Sequence, residues 1–130
     1  MSLTRYAPAV LLLLTGAPAW AVEESSFQSL TTAQLVDTCS ARPGDPRAVE
    51  AAHYCAGYVT GAFATYLALR DPKAPPDYCN LPQSRHEGIL RFVEWARSRP
   101  ELRNQKPADS LFQFLDLTYA CAPGAAPLGR

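Results

Sequence analysis

Apolar residues recur along the chain at alternating spacings of three and four, and the longest such run organises the rest. From Arg47 onward Ala48, Ala52, Cys55, Val59, Ala62 and Tyr66 mark one helical face, which Ala51, Phe63 and Leu67 widen. This predicts a long, core-facing helix that ends near Arg70. The segment Asp71-Pro72-Lys73-Ala74-Pro75-Pro76-Asp77 cannot continue it, because proline lacks the amide hydrogen and excludes the helical conformation from the residue before it.

Three shorter helices frame it. The first is expected from about Thr32 to Cys39. Thr31 and Gln34 have the form of a capping box, Leu30 and Leu35 form a hydrophobic staple around it, and Leu35, Val36 and Cys39 face inward. The third follows a second capping box, Ser84 with Glu87, and buries Ile89, Phe92, Val93 and Ala96, with Trp95 on the flank. The fourth starts at Pro107, has Asp109 in its first turn, and carries Leu111, Phe112, Leu115, Thr118 and Tyr119 inward as far as Cys121. Arg42-Pro43-Gly44-Asp45-Pro46 is a tight connector. The expected fold is an all-α single domain, a small bundle of four helices, or five, of the general character of HdeA.

Within the long helix, Tyr54-Cys55-Ala56-Gly57-Tyr58-Val59-Thr60-Gly61 stands out. Residues four apart share a helix face, so Gly57 and Gly61 make a bare stripe with Tyr54 and Tyr58 one ridge away. An interior glycine costs a helix about 0.5–1 kcal/mol relative to alanine. The expected return is helix packing: close approach of a neighbouring helix, or docking of a partner or a second copy of the chain.

Composition changes the picture at the N-terminus. Arg5, the apolar run Ala7 to Thr15 and the small-x-small triplet Ala19-Trp20-Ala21 together read as a cleaved secretory signal over residues 1–21. The expected layout is a flexible lead-in at 22–27, the helical domain at 28–121 and a disordered tail at 122–130. Without Arg5 the mature chain holds 11 basic and 12 acidic side chains, which argues against nucleic-acid binding. His53, Arg47, Glu50 and Arg70 leave no apolar run in the mature chain long enough to span a bilayer.

Cys39, Cys55, Cys79 and Cys121 all lie in the mature part of an exported chain, which reads as two disulfides. Three connectivities are open. Antiparallel third and fourth helices bring Cys79 to Cys121, which leaves Cys39 for Cys55. No Cys-x-x-Cys is present and His53 and His86 are isolated, so no metal site is expected, and no cofactor. Catalytic signatures such as Gly-x-Ser-x-Gly, His-Glu-x-x-His or a phosphate loop are missing. The chain does not read as an enzyme.

A short helix ending in Cys39, then Tyr54 to Gly61, Cys79-Asn80-Leu81-Pro82, Arg99-Pro100-Glu101, Pro107-Ala108 and a terminal Cys121 together resemble the Rap/Tai family. These are periplasmic immunity proteins that neutralise peptidoglycan amidase effectors of type VI secretion. The resemblance spans about residues 28–121, and the matched positions are the four cysteines, Gly57 and Gly61. It implies an exported, disulfide-bonded helical homodimer that blocks an amidase cleft without chemistry of its own.

For such a role the sequence offers two loops, Asp71 to Asp77 and Arg99 to Lys106, and three candidate anchors, Tyr78, Arg99 and Arg103. The first loop is alternatively a plain connector, and Tyr78 alternatively packs beside a disulfide. The basic stretch from Arg85 to Lys106 is a solvated face or a patch for an acidic partner. The alternative function is a periplasmic stress chaperone, or a helical binding module for another partner.

Overall fold

The computed structural model describes residue 16 and residues 18–123. Four α-helices make up the domain: α1 (Thr32–Cys39), α2 (Ala48–Leu69), α3 (Arg85–Arg97) and α4 (Pro107–Tyr119). Short 3-10 turns at Glu24–Gln28 and Pro100–Leu102 complete it. The described residues contain no strand, and a lone antiparallel bridge pairs Tyr78 with Ala120. The expected all-α domain is therefore observed. Most of the signal segment and of the tail, residues 1–15, 17 and 124–130, lie outside the described residues.

The expected Thr31–Gln34 capping box starts α1: the Gln34 amide donates to Thr31 Oγ1, and Gln34 Oε1 accepts from the Thr31 amide. The staple is not formed, because Leu30 stays 66 % exposed while Leu35 is wholly buried. What holds this end of α1 is polar. Its free amides at Thr32 and Ala33 donate to the carbonyls of Gln105 and Arg103 in the loop ahead of α4. Buried Thr32 Oγ1 lies 2.7 Å from buried Ser110 Oγ, so the two hydroxyls share a hydrogen bond.

Helix α3 buries Ile89, Phe92, Val93 and Ala96 as its period requires. Only half of its capping box exists: Ser84 Oγ accepts from the Glu87 amide, but the Glu87 carboxylate turns to Arg91 at 2.6 Å. Helix α4 presents Phe114 and Ser110 to the core beside Leu111, Leu115 and Tyr119. Phe112 is half-buried and Thr118 exposed, so the face is rotated from the expected one. Phe114 is its centre, edge-on to Phe92 and Tyr119 and packed on Trp95.

Disulfides join Cys39 to Cys55 and Cys79 to Cys121, the pairing that antiparallel α3 and α4 require. The second bond is flanked by backbone pairing, with the Cys79 amide donating to the Tyr119 carbonyl and the Cys121 amide to that of Asp77.

Residues 22–27, read from sequence as a flexible lead-in, are a packed turn. Val22 and Ser26 are buried, Phe27 meets Tyr54 edge-on at 5.4 Å, and Glu24 pairs with Arg47. Tyr54 is thereby occupied by the N-terminal turn.

Candidate partner-docking face

At about 1.5 Å per residue, the 22 residues of α2 outrun the 13 residues each of α3 and α4. Only Ala51 and Cys55 of α2 are buried. From Ala56 to Leu69 its apolar face is at best half-covered, although no charged residue stands between His53 and Arg70. Leu67 is 50 % and Leu69 82 % exposed. A helix apolar on every side normally sits inside a protein; here half of one stands at the surface, the kind of contiguous apolar exposure that marks an interaction site.

Grooves flank this ridge on both sides. The larger, about 870 Å³, runs along Gly57 and Gly61 and is walled by Tyr58, Tyr66, Leu69 and Phe112. The other, about 380 Å³, separates Val59, Phe63 and Leu67 from Leu81, Ile89 and Leu111. A methyl group built on Gly57 or Gly61 meets nothing within 4 Å. The expectation that a neighbouring helix of the same chain needs those glycines bare is thus corrected: both face open space. Tyr58 packs partly on the core, and burial raises its phenol above the usual range.

The ridge ends in a pinned loop. The Arg70 guanidinium donates to the carbonyls of Ala74 (3.0 Å) and Pro75 (2.6 Å), the Tyr66 hydroxyl bonds the Asp77 carboxylate, and the Lys73 amide donates to Asp71 Oδ1. Residues Asp71 to Pro75 remain exposed. This segment is a rigid projection, and its three prolines, Pro72, Pro75 and Pro76, also leave it little freedom to lose.

The three candidate anchors fare differently. Tyr78 is 9 % exposed, its hydroxyl donates to Asp116 Oδ1 at 2.9 Å, and its ring packs on Tyr66. It is a core residue rather than an anchor, and burial together with the Asp116 carboxylate raises its phenol well above the usual range. Arg99 lies over the Trp95 ring at 4.5 Å and donates to the Trp95 carbonyl, so it seals the end of α3. Arg103 is exposed on the second loop, beside Asp37 in a small cleft with Arg97. Desolvation raises the Asp37 carboxyl, against the pull of Ser26 and Arg103. Sequence reading missed Leu102, 2 % exposed, which plugs the second loop into the core. A lone leucine between charged residues carries no periodic signal.

Among the described residues no group of three or more histidine, cysteine, aspartate or glutamate side chains is placed to hold a metal, and no helix is long and apolar enough to cross a membrane. The face offers shape and apolar surface. Residues 31–121, most of the chain and all four helices, match the family model of Rap1a immunity proteins. The chain belongs to the Rap1a immunity protein family. No curated protein and no solved structure matches it. Membership in the Rap1a family implies an immunity protein against a type VI effector, with that effector as protein partner. The matched span begins at the α1 cap and closes at the second disulfide, so the Rap1a unit coincides with the stapled bundle.

Proposed function

We propose that this Rap1a protein is exported by residues 1–21, matures in the periplasm, and there covers the active-site cleft of a peptidoglycan amidase effector. The observation that carries this reading is the uncharged, half-exposed ridge of α2 running into a pinned, projecting loop. A cleft is blocked by a body that fits it and does not yield. Leu67 and Leu69 supply apolar contact beside the loop, and the fixed loop loses little entropy on binding. Inhibition of this kind asks no bond-making of the chain.

The second copy belongs in the same reading. The groove along Gly57 and Gly61 lets a backbone approach as closely as any helix surface allows, and Tyr58, Tyr66 and Phe112 provide aromatic walls. We place the homodimer contact there and the amidase contact at the loop and the adjoining end of α2.

Protection of cells tests the reading. With a type VI peptidoglycan amidase effector directed to the periplasm, cells carrying the full-length chain should survive. Cells carrying the chain from Val22 onward, without the leader, should lyse. Equal protection by both forms would refute the periplasmic site, and protection by neither would refute the amidase as target.

A further inference from the structure

The boundary of the folded domain coincides with the small-x-small triplet. Ala19 and Trp20 are exposed and Ala21 is half-exposed, whereas Val22 is 9 % exposed. The Ala21 amide closes a turn onto the Pro18 carbonyl. At Val22 the chain turns inward, and its amide donates to Asp45 Oδ2 at 2.8 Å.

Asp45 is an unusual acceptor. It is 6 % exposed, and its other oxygen accepts from the Arg47 amide at 2.8 Å. No cationic side chain pairs with it among the described residues, since the nearby Arg47 guanidinium goes to Glu24. Two backbone amides hold this buried carboxylate, and the Arg47 guanidinium lies near enough to feel its charge. No cation is in direct contact with it among the described residues, and a charged donor would strengthen the hold.

We propose that cleavage of the Ala21–Val22 bond supplies the missing cation, so that processing creates a buried ion pair between the Val22 α-ammonium and Asp45. This rests on the export reading above. A leader peptidase hydrolyses the bond: water adds across the C–N linkage, Ala21 leaves as a carboxylate, and the freed Val22 amine takes up a proton. The nitrogen already lies at hydrogen-bonding distance from Asp45, so capture requires no rearrangement of the connector before α2. The leader's departure also removes Trp20 from beneath Arg42, where the guanidinium lies 5.9 Å from the ring. Asp45 thereby acts as a receptor for the processed terminus, and the mature fold is stabler than any uncleaved or extended form.

The test uses full-length chain expressed with its leader and purified from the periplasm. Its N-terminal residue should be Val22. Charged hydrogen bonds are about twice as strong as neutral ones, so one additional alanine ahead of Val22 should lower the folding constant about tenfold or more, as should Asp45→Asn. Combined, the two changes should cost little more than Asp45→Asn alone, because the extension removes only the pair that Asp45→Asn has already removed together with the acceptor of the Arg47 amide. A mature terminus other than Val22 would overturn the proposal, and so would additive losses or an extension without effect. A periplasmic protein that begins at Val22 but shows no coupling leaves export standing and removes only the ion pair. Should Asp45→Asn fail to fold, the comparison of Val22-terminated and alanine-extended chains still decides.

Discussion

Replacing Cys79 and Cys121 together by alanine is expected to lower the unfolding free energy by about 4 kcal/mol on the chain-entropy account, measured by urea denaturation of the purified mature protein. The bond closes a separation of 42 residues; the Cys39–Cys55 bond closes 16, and its loss should cost about 3 kcal/mol. Domains of this size have about 5–15 kcal/mol in all, so either loss removes a large share. The longer closure has a local effect too. It anchors the Tyr78–Ala120 bridge and the two amide bonds around it, and so holds the end of the projecting loop against the end of α4. Reduction should therefore loosen the loop before the α1–α2 corner. A loss below about 1 kcal/mol for the Cys79–Cys121 pair would contradict the closure argument.

The second expectation separates a packing glycine from a docking glycine. Gly57 and Gly61 face open space, so Gly61→Ala should raise stability by about 0.5–1 kcal/mol, the ordinary gain for an interior helix position. Gly61→Glu should likewise leave the melting curve near that of the parent, yet place a charge in a groove walled by Tyr58, Tyr66 and Phe112. Pairing of copies should then weaken by at least about tenfold, since an unpaired charge at a contact costs several kcal/mol. Sedimentation reads the pairing and thermal unfolding reads the fold. Loss of stability with Gly61→Ala would show that the stripe is internal packing after all.

Much of the fold is legible in the residues because its signals are local. Thr31 with Gln34, Pro107, the prolines after Arg70 and the period of α3 each act within a turn or two, and the elements begin and end where those signals stand. The cysteine pairing follows from helix direction once α3 and α4 are antiparallel. The failures share one cause: they depend on what lies across the molecule. The apolar stripe of α2 is real, but a periodic pattern does not say whether another element covers it. Beyond Cys55 nothing covers it fully. Gly57 and Gly61 are equally silent about inside and outside. Tyr78 reads as an anchor beside a proline loop, until Asp116 and Tyr66 enclose it from elements remote in sequence. Phe114 displaces Phe112 from the core because α4 meets α3 through the Phe92–Trp95 cluster, a partner that period alone does not identify. The hydroxyl pair of Thr32 and Ser110 spans 78 positions and has no local signature.

The Val22–Asp45 contact extends the same lesson to maturation. A small-x-small triplet is readable by itself, and so is an aspartate in a proline-rich connector; their meeting, 23 positions apart, is a property of the folded chain. In the maturation we propose, this contact ties the stability of the corner before α2 to removal of the leader, and α2 carries the docking ridge.

The central claim is that this Rap1a protein disarms its effector by occupying a surface. Titrating the purified chain into a peptidoglycan hydrolysis assay of the amidase we propose as its effector tests it most directly. Activity should fall linearly and vanish near one equivalent of binding sites, with the chain recovered unaltered from an intact complex. Full hydrolysis in the presence of excess chain, or loss of activity at a small fraction of an equivalent with the effector chemically altered, would contradict the claim.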